Sequence, residues 1–180
     1  EYYKGIFTTL SSCASRQLEE VTFRRATISV PELMATAGKY FRKVYKGNKA
    51  HIDFKIQPLE GRITGDWNQL RFLLENLIDE ACSVTLDGAV CQSAREDGEF
   101  IRFLFTDMRR EKTREELNQL FYPDLSRMTA GEKGELYGTE YLVCKQIIRD
   151  HDEFAGRRGC RINAEPGKEG GFTIYFTLPK

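Results

Sequence analysis

The stretch Gly65–Thr85, GDWNQLRFLLENLIDEACSVT, decides how the rest of the chain is read. Its apolar residues Leu70, Leu73, Leu74, Leu77, Ile78 and Ala81 recur every three or four positions, the spacing of one face of an α-helix. Asp66 is a good N-cap, and Gln69 three residues on completes a capping-box pattern. On another face Asn76 and Glu80 stand one turn apart and point the same way. A polar pair on a core-forming helix is either a solvated edge or the lining of a pocket, and the helix by itself favours the edge.

Toward the N-terminus, Thr22 to Val30 is rich in β-branched residues and reads as a short strand. Pro31 then opens a helix in its favoured first turn, with Leu33, Met34, Ala37, Tyr40, Phe41 and Val44 as the buried stripe and Gly47 as its end. Ile52, Phe54 and Ile56 alternate with polar residues, as in a half-buried strand. Residues 1–21 carry spaced apolar positions and read as a helical connector.

Toward the C-terminus, Ala89–Ala94 and Phe100–Thr106 read as strands around the hairpin signal Glu96-Asp97-Gly98. Thr113 and Glu116 form a second capping box, opening a short helix. Tyr122 to Tyr137 is polar, carries Gly131 and Gly134, and reads as a mobile loop. Helical spacing returns from Gly138 to His151. Cys160–Ala164 reads as a strand, and Phe172, Ile174, Phe176 and Leu178 alternate in a last one. The expected class is α/β (α+β), a two-layer sandwich of about three helices on a mixed, mostly antiparallel sheet of about five strands.

Charge and cysteine content exclude several roles. The 180 residues hold 27 Lys plus Arg and 27 Asp plus Glu, so nothing in the net charge suggests nucleic acid or an anionic membrane as partner. No apolar run approaches the roughly 18 residues that a membrane span needs, and no signal peptide is visible. The five cysteines, at 13, 82, 91, 144 and 160, include no CxxC pair; Cys82 and Cys144 fall on apolar helix faces and read as small buried hydrophobes in a reducing, cytoplasmic setting. His51 and His151 lack metal-ligand spacing, and His151 reads as a cation favoured by a helix C-terminus.

The order of these pieces resembles the catalytic, ATP-binding domain of two-component sensor histidine kinases, the Bergerat fold shared with gyrase, MutL and the heat-shock chaperone ATPases. GDWNQLRFLLENLIDEA resembles the lead-in to that family's N-box. LNQLFYP resembles the box before its ATP lid, CKQIIRDH the helix after its second glycine box, and GGFTIYFTLP its closing strand. The likeness runs from about Thr22 to Pro179 and implies an ATPase-type domain over 22–180. It makes residues 1–21 the end of a dimerisation hairpin.

Carried over position by position, the resemblance implies an ATP pocket at Asn76, Glu80, Asp107, Gly138 and Gly171, with magnesium on Asn76 and Glu80. Glu80 stands where the family has a second asparagine, and can still ligate magnesium as a hard oxygen donor. Ser83 stands where it has a lysine. Asp107 keeps the carboxylate that accepts the adenine amino group, but both glycines of the DxGxG box are gone, and Arg109 or Arg110 could offer charge to phosphate instead. Gly138 survives from the second glycine box, whose backbone N–H groups cradle phosphate. Glu140 replaces the next glycine, and like charges at about 4 Å cost roughly 1–4 kcal/mol. Phe172 replaces a threonine near the adenine. The scaffold is kept while the ligand-facing positions are changed.

The leading expectation is therefore a degenerate histidine-kinase ATPase domain in signal transduction, weak or inactive toward ATP. It would work with a dimerisation hairpin or a response-regulator-type protein, as a homodimer through or before residues 1–21. One alternative is a divergent but active Mg-ATP-dependent kinase. Another is a pure interaction module whose pocket is filled by its own Phe172 or Arg109.

Overall fold

The computed structural model describes residues 22–122 and 139–180. In chain order the elements are β1 (Ala26–Ser29), α1 (Val30–Val44), β2 (Ile52–Gln57), β3 (Arg62–Gly65), α2 (Trp67–Cys82), β4 (Gly88–Asp97), β5 (Phe100–Asp107), α3 (Arg114–Gln119), α4 (Thr139–Phe154), β6 (Ile162–Pro166) and β7 (Phe172–Pro179). Among the described residues, five strands form a sheet in the order β2-β4-β5-β7-β6, and β1 and β3 form a separate antiparallel pair. β2 runs parallel to β4 and the other neighbours are antiparallel, so the expected mixed, mostly antiparallel two-layer sandwich is the architecture found.

Period-two alternation puts one face of the sheet in the core. Ile101, Phe103 and Phe105 of β5 lie directly opposite Leu178, Phe176 and Ile174 of β7. The Phe103 and Phe176 rings stack with centroids 5.0 Å apart. The helix layer supplies Leu33, Met34 and Ala37 from α1, the predicted leucine stripe from α2, and Cys144, Ile147 and Ile148 from α4. Each such large apolar side chain contributes about 1.5–3 kcal/mol through burial. The other face is mixed: Arg102 sits over the Tyr175 ring at 4.6 Å, and the Thr106 and Thr173 hydroxyls share a hydrogen bond of 2.8 Å.

The helix starts follow their caps. Ser29 Oγ accepts from Glu32 N at the head of α1, with Pro31 in the first turn. Thr113 Oγ1 accepts from Glu116 N at the head of α3. Asp66 Oδ1 accepts from Gln69 N at the head of α2, but the return half of the capping box does not form. The Asp66 N–H instead donates to His151 Nε2 at 3.0 Å.

That bond corrects the reading of His151 as a helix-end cation. The ring is fully buried, and because Nε2 accepts, Nδ1 carries the proton and donates to the Ile147 carbonyl at 2.8 Å. Burial pushes its pKa below the usual 6.5, against the pull of that carbonyl and of Asp66, so the imidazole is neutral. Cys82 and Cys144 are free thiols, half-buried and buried, as their helix faces predict. Residues 1–21, the proposed connector, and 123–138, which hold most of the expected loop and Gly138, lie outside the described residues.

Candidate functional site

The inner face of the sheet ends in a charge. Asp107, the last residue of β5, continues the alternation of Ile101, Phe103 and Phe105, so its carboxylate points into the core face and is 1% exposed. Asp107 pairs with Val90 of β4 on one side and Phe172 of β7 on the other. Glu80, on the last turn of α2, is also buried. Two carboxylates in such a place need cations, and the chain supplies two.

Arg109 folds back onto Asp107. Its backbone N–H and Nε both donate to Oδ1, at 3.0 and 2.9 Å, and Nη2 donates to Oδ2 at 2.9 Å. The rest of the guanidinium reaches across to the segment after α2, where Nη2 donates to the Ala81 carbonyl at 2.6 Å and Nη1 to the Val84 and Leu86 carbonyls at 3.2 and 2.9 Å. All five guanidinium N–H donors are therefore used. Arg110 takes the second carboxylate. Its Nη1 and Nη2 grip Glu80 at 3.2 and 3.1 Å, while Nε donates to Asp107 Oδ2 at 2.9 Å.

The four side chains make a closed charge network. Asp107 receives four donors on two oxygens, which is the full lone-pair capacity of a carboxylate. Although burial by itself would raise its pKa, Arg109 and then Arg110 hold it below the ordinary 3.8. Glu80 in turn keeps Arg110 protonated and raises its pKa, against its burial. Phe172 lies beneath, 2% exposed, with the Arg110 guanidinium 5.3 Å and the Lys112 ammonium 5.2 Å from its ring centroid. Tyr141 of α4 is buried close by. Burial first, and then the Glu80 charge, push its phenol well above its usual value.

The other family-matched positions fall as follows. Asn76 is half-buried, and its amide Nδ2 donates to the Phe72 carbonyl one turn back at 2.7 Å. Gly171 has φ 70°, and its N–H donates to Glu111 Oε1 at 2.8 Å. A Cβ there would collide with the Asp107 carbonyl oxygen, so glycine at 171 is what lets β7 start against the end of β5. Glu140 stands in the first turn of α4. The structure brings Glu80, Asp107 and Phe172 together with Arg110, and leaves Asn76 turned onto its own helix. Among the described residues no cluster of three His, Cys, Asp or Glu could hold a metal ion.

Sequence reasoning missed one feature of α2. Asp79, next to Glu80 but turned toward α1, accepts from the Tyr40 hydroxyl at 2.8 Å and the Tyr45 hydroxyl at 2.6 Å, from α1 and its C-cap. Tyr40 lies in the predicted stripe, yet nothing in its spacing announced a carboxylate partner.

Neither a family model nor a curated protein matches the sequence. Solved structures do match. The catalytic domain of histidine kinase ThkA is 17% identical over 87% of this chain and 96% of its own, with a TM-score of 0.65. ThkA in complex with the response regulator TrrA is 17% identical over 98% of this chain and 49% of its own, at 0.68. The Acinetobacter baumannii histidine kinase AdeS is 12% identical over 98% and 77%, at 0.69. The chain has the fold of histidine-kinase catalytic domains. No helix among the described residues is long and apolar enough to cross a membrane.

Proposed function

We propose that this chain is a histidine-kinase-type domain in signal transduction whose nucleotide pocket is closed by its own arginines, so that it binds ATP weakly or not at all. The observation that carries this reading is the saturation of Asp107. The carboxylate that the resemblance assigns to the adenine amino group has both oxygens taken by Arg109 and Arg110. The Glu80 carboxylate, assigned to magnesium, is held by the same Arg110. The residues present do not fit ATP and magnesium in this arrangement.

A nucleotide that displaced the arginines without re-pairing the carboxylates would forfeit about 3–5 kcal/mol. That loss corresponds to a roughly hundred- to several-thousand-fold weaker affinity. Function then rests on surfaces rather than on phosphoryl transfer. A response regulator is the expected partner by analogy with the ThkA–TrrA complex, and a dimerisation hairpin is the partner that the sequence resemblance implies. The same resemblance makes residues 1–21 the hairpin's end, with a homodimer formed through or before them.

Calorimetric titration of ATP, with and without magnesium, into the folded protein tests the reading. Absence of magnesium-dependent heat, with an intact melting transition, is the expected result. Micromolar, magnesium-dependent binding followed by phosphotransfer to a histidine hairpin would refute it. That outcome would favour the divergent active kinase, in which Arg110 turns from Glu80 to phosphate.

A further inference from the structure

Away from the Asp107 network, the last turns of α1 and the turn leading into β2 border an open cleft of about 730 Å³. Its rim carries Lys39, Arg42, Lys43 and Lys46, and its wall includes Phe41 and Tyr45. Lys39, Arg42 and Lys43 follow the i, i+3, i+4 spacing of one face of α1, Lys46 lies in the turn just beyond it, and all four are exposed. Residues 39–51 contain five Lys and Arg and no Asp or Glu, in a chain whose formal net charge is zero.

The cations are uncompensated. Among the described residues none of the four rim side chains makes an ion pair. Carboxylates on the neighbouring elements are held by other partners: Asp79 by the Tyr40 and Tyr45 hydroxyls, Asp87 by the His51 N–H, Asp53 by Lys55 and Glu75 by Arg71. The helix dipole accounts for Arg42 and Lys43 in the last turn of α1, but not for Lys39 a turn earlier or Lys46 beyond the end. A like-charge stripe works against its own helix. The size lies within the roughly 300–1,000 Å³ of small-molecule sites. A flat protein-docking face would not need this concavity.

We propose that this cleft binds a small phosphate-bearing anion, at a site separate from the Asp107 network. Phosphate oxygens meet the rim cations, and the aromatic wall is open to a base when the anion is a nucleotide.

The test is titration of inorganic tripolyphosphate and of ADP, in EDTA, into the wild-type chain and into Lys43→Glu/Lys46→Glu, with Lys168→Glu as control. Saturable binding of either probe is expected, weakened about tenfold or more by the double reversal and unchanged in the control. ADP binding tighter than tripolyphosphate identifies a nucleotide; equal binding identifies the phosphate chain as the recognised part. Omitting magnesium and reversing only rim charges keep this outcome distinct from ATP entry at Asp107. The proposal is overturned if neither probe binds or if the folded double variant binds undiminished. It is equally overturned if poly-glutamate binds where the phosphates do not, which would make the surface a dock for an acidic protein.

Discussion

Replacing Arg109 by alanine should destabilise the protein severely. The guanidinium is 1% exposed and so is its partner Asp107, so solvent screens the pair little. The substitution removes five side-chain hydrogen bonds at once, two to Asp107 and three to the Ala81, Val84 and Leu86 carbonyls. It leaves a buried carboxylate with Arg110 as its remaining partner. Breaking one side of a buried pair costs about 3–5 kcal/mol. For a domain of this size that is a fall in melting temperature of about 6–20 °C. Urea and thermal denaturation followed by circular dichroism measure it, with Arg109→Lys expected to recover only a minor part because a single ammonium cannot reproduce the fork. The double variant Asp107→Ala/Arg109→Ala should be less damaged than the sum of the singles, with a coupling of about 1–3 kcal/mol. Acid supplies a second reading. Because the folded pKa of Asp107 lies below the ordinary 3.8, its contribution is fully present above that value and is lost as pH falls through the folded pKa. Asp107→Asn should flatten that acid limb. A loss under about 1 kcal/mol for Arg109→Ala, the size of an exposed ion pair, would refute the closed network and with it the argument that the pocket is shut.

Gly171→Ala should cost at least about 2 kcal/mol, because φ 70° is strained for alanine and the added methyl meets the Asp107 backbone; urea midpoints check it. The neutral His151 has a folded pKa below 6.5, so stability should fall as pH drops below that value; His151→Phe should lose that slope, read from melting curves between neutral and mildly acid pH. Tyr45→Phe should cost about 1–2 kcal/mol through the lost bond to Asp79, discounted because the ring is only half-buried, and should couple with Tyr40→Phe in a double-mutant cycle. Both phenols are raised above 10, so their contribution is present below that value and is lost as pH climbs past it.

Local chemistry made most of the fold legible. The leucine spacing of α2, the Ser29, Asp66 and Thr113 caps and the alternation in β5 and β7 act within a few residues, and each appears where its pattern puts it. What could not be read was long-range. Asp66 took its cap from Gln69 but gave its own N–H to His151, a partner that sequence spacing cannot propose. The same limit applies at the candidate site. Arg109, at one of the lost glycines, and Arg110 beside it are legible as cations, but whether they face outward to phosphate or inward depends on Glu80 and on three carbonyls at and beyond the end of α2. Buried carboxylates on the core face decide for inward. The rim of Lys39, Arg42 and Lys43, with Lys46 just beyond the helix, was in principle legible from its spacing, yet a whole-chain charge of zero averages it away.

The bond between the Asp66 N–H and His151 joins residues 85 apart in sequence, and this bears on the order of folding. The first turn of α2 is not completed by its own residues, since Gln69 does not return the capping bond and the Asp66 N–H goes to His151 instead. It must wait for α4 to arrive, after the whole central hairpin of β4 and β5 has been threaded. Closing so long a loop is entropically costly, and contacts of that span slow folding. The head of α2 should therefore gain its amide-exchange protection late, with low φ-values around Gly65 and Asp66 and higher ones in the β4–β5 hairpin. A helix that looks self-sufficient in sequence is, in time, among the last parts to be secured.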